Sequence, residues 1–183
     1  MDNKATTAAA PAGQLQAADV IVSVLETDAN GVRIKLWPDV QAVRRMLDNT
    51  SRVLGEDYSA KHYVCGRAMY CAVVLDSATR DAPCPADYQV NTDAALNEAE
   101  GSLVAAAAQW GIGSAVFSFP PLRIGKEGVQ INPVAGRDGK TIHHYELADT
   151  LRVTDIQYGE DGSIAGIKLV RQDGRAITWQ PKT

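Results

Sequence analysis

The segment from Asp93 to Trp110 constrains the fold more than any other part of the chain. Leu96, Ala99, Leu103, Ala106 and Trp110 fall on one helical stripe, while Asp93, Glu98 and Glu100 come early, where the helix dipole favours anions. The spacing predicts a helix over 92–110, capped by Asn91 or Thr92 and stopped at Gly111. Such a helix gains most of its stability by packing its apolar stripe, so the flanking segments must supply a core to cover it.

They do. Val32, Ile34 and Leu36 alternate with Arg33 and Lys35, the pattern of a half-buried strand with a basic polar face. Pro38 and Asp39 then start a helix over 39–54, with Val40, Val43, Leu47 and Leu54 at helical spacing until Gly55 stops it. Arg45 and Arg52 share a second face of that helix, with Arg44 beside them. Tyr63-Val64-Cys65, the turn residues Gly66-Arg67, and Ala68 to Leu75 read as a hairpin. Its second strand is apolar on both faces and is placed centrally, with Tyr88-Gln89-Val90 as the candidate third strand. After Pro120-Pro121, residues 122–124 and 129–131 are short strand candidates, and a Gly-rich, charged loop runs through Lys140. From Leu151 to Trp179 three apolar strands are separated by Gly159-Glu160-Asp161-Gly162 and by Asp173-Gly174, a meander.

The fold class is therefore α+β: a strand-helix-three-strand-helix core with a small C-terminal β meander from about residue 150. Residues 1–17, rich in Ala, Thr and Pro, are expected to be a disordered tail, and 18–183 a single domain. Both helices should pack on one face of a sheet built from 61–90, with Trp110 largely buried.

Composition narrows the function classes. The 183 residues include only Cys65, Cys71 and Cys84, without metal-ligand spacing, so neither a disulfide framework nor a zinc site is expected. Free thiols suit a reducing cytosol, and a cytoplasmic protein is expected. No secretory signal pattern opens the chain, and apolar runs such as Ala68 to Leu75 fall far below the ~20 residues that cross a bilayer. The net charge of −4 conceals a division: residues 31–67 carry +3, whereas 68–122 carry −5 with Arg80 as their only base.

Chemical motifs are sparse. Gly111-Ile112-Gly113 follows a helix, whereas a phosphate loop precedes one. His143-His144 could ligate a metal with Asp138 or Glu146, but neighbouring histidines point apart on a strand, and a surface loop is the plainer reading. Cys84 would need His62, His143 or His144 as a base to act as a nucleophile, and no spacing brings them together. No catalytic residue, metal or cofactor is expected, and no enzyme. The basic residues Arg33, Lys35, Arg44, Arg45, Arg52, Lys61 and Arg67 with Tyr63 could track phosphates and stack a base; the plainer reading is a solvated helix face with Arg44 paired to Asp48.

Four landmarks between Leu47 and Ile124 carry a family resemblance: Val53-Leu54-Gly55-Glu56-Asp57-Tyr58, Met69-Tyr70-Cys71-Ala72-Val73, Glu98-Ala99-Glu100-Gly101 and Gln109-Trp110-Gly111-Ile112-Gly113. With these the chain resembles the Rad-fifty-two-like single-strand annealing proteins, in their divergent phage and mobile-element branch. The resemblance implies an α-β-β-β-α core, assembly of the chain with itself into rings or arcs, and single-stranded DNA held in a basic groove for ATP-independent annealing in recombination and repair. It implies neither ATP nor metal, and it allows a recombination or single-strand-binding protein as partner. The expected DNA contacts are Lys35, Arg44, Arg45, Arg52, Lys61, Tyr63 and Arg67. The family's second helix normally carries a Lys-Arg pair and a further Arg where this chain has Val104, Ala105 and Ala108. The alternative is a degenerate annealing fold serving as a protein-interaction module. On the annealing reading, Arg45→Ala and Arg67→Ala should together flatten the salt dependence of single-strand binding by about 1.4, at roughly 0.7 per phosphate contact. Basic residues restored at Val104 and Ala105 should tighten binding if those side chains face the groove.

Overall fold

Leu36 and Trp37, neighbours in sequence, are buried in two different hydrophobic clusters. Their strand is the seam of the molecule. The computed structural model, which describes residues 13–181, is a mixed α+β protein with mostly antiparallel strands. Strands β1 (Val20–Asp28) and β2 (Gly31–Pro38) form a hairpin, and β6 (Leu122–Gly125) pairs with the other edge of β2. Being covered on both faces, β2 buries both parities of its side chains.

Asp39 caps α1 (Val40–Leu54), accepting from the N–H groups of Gln41 at 2.9 Å and Ala42 at 3.0 Å, and Gly55 ends it with φ 74°. Strands β3 (Ser59–Cys65), β4 (Ala68–Leu75) and β5 (Ala78–Pro83) form an antiparallel sheet with β4 in the centre. Helix α2 (Ala94–Gln109) lies across it. Cys71, Val73 and Leu75 of β4 are buried with Val43 and Leu47 of α1 and Leu103, Val104 and Ala107 of α2, so both helices cover one face of this sheet. Next come α3 (Ser114–Ser118), the ribbon β7 (Ile131–Ala135) with β8 (Ile142–Leu147), and the meander β9 (Leu151–Tyr158), β10 (Ile164–Arg171), β11 (Ala176–Trp179). The meander packs on the other cluster, where Leu151, Val153, Ile167 and Leu169 join Val32, Ile34 and Leu36.

Several expectations are corrected. The third strand is Ala78–Pro83, not Tyr88–Val90. Residues 88–90 form a strap that Asn97 holds, its side-chain oxygen accepting from the N–H groups of Val90 (3.0 Å) and Asn91 (2.8 Å). Asp93, rather than Asn91 or Thr92, caps α2 by accepting from Leu96 N–H at 3.0 Å. Trp110, by contrast, packs mostly buried against the core of this layer, as expected, with the Arg80 guanidinium 4.6 Å above its ring. His143 and His144 lie on β8 instead of a loop. Of the tail expected over 1–17, residues 1–12 lie outside the described residues. Residues 13–17 are docked: Leu15 is 2 % exposed, its N–H donates to the Tyr158 hydroxyl, and that hydroxyl donates to Leu15 C=O at 2.8 Å. Among the described residues no helix is long and apolar enough to cross a membrane.

Gly101 leaves no room for a side chain on the buried face of α2. A Cβ there would stand 2.5 Å from Cys84 Sγ and 2.8 Å from the Tyr88 ring. Gly101→Ala should therefore cost about 1–3 kcal/mol through overpacking, although alanine is the better helix former. Thermal unfolding followed by circular dichroism checks this, with a fall in Tm of roughly 2–4 °C per kcal/mol. An unchanged or higher Tm would mean that the layer is looser than the geometry shows.

Candidate nucleic-acid interface

The hairpin β3–β4 turns through Gly66-Arg67, and that two-residue turn sets the register Cys65↔Ala68, Val64↔Met69, Tyr63↔Tyr70, Lys61↔Ala72. Strand parity then separates the side chains. His62 faces α2 and sits 2.9 Å from the Ala99 carbonyl through Nε2, on the side where Cys71 and Val73 are buried. Lys61 and Tyr63 point to the opposite face with Tyr70, Ala72 and Asp81. These five belong to neither buried cluster. On this open face Tyr63 and Tyr70 stack at 5.5 Å between ring centroids with an interplanar angle of 21°. The Tyr63 hydroxyl donates to Asp81 on β5, and that bond pushes its pKa up to about 12. The result is a fixed aromatic platform with Lys61 beside it.

The structure divides the seven expected contact residues instead of gathering them in one groove. Arg44, Arg45 and Arg52 are exposed on α1, which packs on the helix-covered side of the sheet, away from Lys61 and Tyr63. Arg45 is tied to Asp19 at 2.6 Å. Both partners are partly exposed, so a phosphate could displace a pair of this type, commonly worth ~0–1 kcal/mol. Arg67, at the hairpin turn, faces a cavity of about 540 Å³ lined also by Cys84, Tyr88, Asn97 and Glu98. Among the described residues Arg44, Arg52, Lys61 and Arg67 have no ion-pair partner within 4 Å, so the Arg44–Asp48 pair does not form.

Lys35 is a correction. It is 8 % exposed, its ammonium donates to the Phe119 carbonyl and stands 5.1 Å over the Trp37 ring, and burial lowers its pKa against a smaller opposing pull from Asp87. The reason is the double covering of β2: the polar parity of a half-buried strand becomes a second interior. Val104 and Ala105, where the family resemblance places a basic pair, are also buried, at 0 % and 5 % exposure. Those positions do not face a groove. Ala105 and Ala108 instead line an apolar hollow of about 470 Å³ with Ala82, Pro83, Pro85 and Phe117.

Cys84 lines the 540 Å³ cavity with no histidine in its wall, and burial pushes its thiol up to about 11, away from the thiolate a nucleophile requires. His143 and His144 are joined through their Nδ1 atoms at 2.9 Å, and His144 Nε2 is 2.8 Å from Glu146. No group of three or more potential metal ligands occurs among the described residues. Tyr70 is the site residue that the sequence reasoning missed. The signal was present, because a two-residue turn at Gly66-Arg67 places Tyr70 opposite Tyr63. Comparison of the chain with protein-family models, curated proteins and solved structures finds no match.

Two outcomes follow. Lys35→Ala should lower stability by about 1–3 kcal/mol by leaving the Phe119 carbonyl unpartnered, and should leave any oligonucleotide affinity unchanged. Denaturant unfolding and fluorescence anisotropy together check it; a large loss of affinity without a loss of stability would return Lys35 to the surface. Val104→Lys should destabilise by roughly 3–5 kcal/mol, as an uncompensated buried charge does, instead of tightening binding.

Proposed function

We propose that this protein binds single-stranded DNA on the open face of β3–β4–β5 and, as a ring or arc of copies, anneals complementary strands without ATP. The Tyr63–Tyr70 platform beside Lys61 carries the reading. Aromatic rings offer any base a stacking surface, and neighbouring ammonium or guanidinium groups hold the backbone, a combination that binds single strands without sequence preference. Lys61 is the base beside the platform; Arg67, at the hairpin turn, faces the cavity on the α2 side. A further observation supports the proposal: the order helix, three strands, helix over residues 40–109 is the one the family resemblance implies. The second reading, a protein-interaction module of annealing descent, is favoured by the apolar hollow at Ala105 and Ala108, where the family has bases.

Tyr63→Ala and Tyr70→Ala should each weaken binding of a labelled oligonucleotide by about 1–3 kcal/mol, or roughly 5- to 150-fold. Tyr63→Phe, which keeps the ring and loses the bond to Asp81, should retain most of the affinity. Lys61→Ala should flatten the salt slope by about 0.7. Arg137→Ala, exposed in the loop after β7, should leave both unchanged. Anisotropy at two salt concentrations reads all of these, and an intact wild-type protein that binds no oligonucleotide at low salt would defeat the proposal in favour of the interaction module.

A further inference from the structure

The apolar hollow walled by Ala82, Pro83, Pro85, Ala105, Ala108 and Phe117 lies on the helix-covered side of the β3–β4–β5 sheet, away from the Tyr63–Tyr70 platform. Three polar side chains also line it, and each already spends a donor inside the protein. Gln109 Nε2 donates to the Asp81 carbonyl at 2.7 Å, the Ser114 hydroxyl to the Gly111 carbonyl at 3.3 Å, and the Ser118 hydroxyl to the Ser114 carbonyl at 2.7 Å. What the hollow offers an occupant is therefore apolar contact, and a polar group pressed into it would lose water without gaining a donor.

The described residues begin at the rim of this hollow. Gly13 lies against the loop joining α2 to α3: its carbonyl accepts from the Gly113 N–H at 2.9 Å, and a Cβ on it would stand 2.6 Å from the Gly111 carbonyl oxygen. That same Gly111 oxygen takes the Ser114 hydroxyl, and Ser114 lines the hollow. With φ at 95°, glycine is the residue that this close approach needs. Downstream the chain turns into the β2 cluster through Leu15, so the residues upstream start from the Gly111–Ser114 rim. They are small and apolar. Residues 5–12 read Ala-Thr-Thr-Ala-Ala-Ala-Pro-Ala without a charge, and Asp2 and Lys4 lie beyond them. Extended, the five residues before Gly13 reach up to about 17 Å, farther than a hollow of about 470 Å³ measures across.

We infer that residues 8–11, Ala-Ala-Ala-Pro, seat in the α2–α3 hollow of their own chain, as an internal ligand that an outside protein must displace to use this surface. Methyl groups and a proline ring meet walls of alanine, proline and phenylalanine, and the proline brings no N–H to satisfy. An extended strip laid in a surface hollow turns alternate side chains inward and keeps its backbone groups in water. The tether from Gly13 is one or two residues long, which holds the segment at an effective concentration of about millimolar or above, so modest contacts suffice. The inference does not rest on strand binding; it gives the surface that favours the interaction-module reading a competitor built into the chain.

The test is nuclear magnetic resonance on the full chain with its alanine methyl groups labelled. In the wild-type protein, nuclear Overhauser contacts should link the methyl groups of residues 8–10 to the Phe117 ring, at intensities that do not change with protein concentration. Ala9→Asp with Ala10→Asp should abolish these contacts and move the amide signals of Ala108, Ser114 and Phe117, while those of the β3–β4 hairpin stay in place. Ser118→Trp, which fills the hollow from an exposed position and leaves the segment intact, should abolish the contacts as well. Circular dichroism melts confirm that each variant is folded. A wild-type spectrum with no contact between residues 8–10 and the hollow overturns the inference, as do contacts that arise only between a labelled and an unlabelled copy, or an aspartate variant whose Ala108, Ser114 and Phe117 signals do not move.

Discussion

The burial of α2 from Gly101 to Ala107 is the constraint on which the surrounding structure depends. A helix surrounded by β4, β5, α1 and α3 can bury a continuous run of residues only if most of them are small, and here Gly101 and Ser102 before Leu103-Val104, and Ala105, Ala106 and Ala107 after it, meet that condition. The cost is chemical. No unpaired Lys or Arg fits the buried face of such a helix, and the segment 68–122, with Arg80 as its only base, is acidic. The same small residues, where they surface beside Pro83 and Phe117, open the apolar hollow.

Strand β2 joins this layer to the meander. Alternate side chains enter opposite cores, Ile34 and Leu36 toward β9 and β10, and Trp37 toward α1, α2 and Phe117. Lys35 fits this arrangement because its ammonium has the Phe119 carbonyl as acceptor and the Trp37 ring face beside it. Leu15 completes the same seam from the N-terminal side: the Gly113 N–H donates to the Gly13 carbonyl at 2.9 Å, which fastens residues 13–15 against the start of α3.

The hairpin is the opposite case. With its α2-facing side anchored and its other side carrying Tyr63, Tyr70 and Lys61, it is a rigid scaffold that presents adaptable surface groups. The bond from Tyr63 to Asp81 spans all three strands and restricts the ring, so a ligand that stacks there meets a preorganised surface.

Both helices, the β3–β4 hairpin and the C-terminal meander were legible in the sequence because each rests on a local periodicity or a turn whose residues dictate backbone geometry. The Tyr63–Tyr70 pairing was legible as well, as a consequence of turn length. Strand β5 was not, because Thr79, Arg80 and Asp81 show no apolar alternation and the strand forms by completing the backbone ladder of β4 under α2. The fates of Lys35, Val104 and Ala105, and the separation of the α1 arginines from Lys61, were decided only by tertiary structure. Periodicity reports which residues share a face, but whether that face meets water or a second layer depends on contacts between residues far apart in sequence.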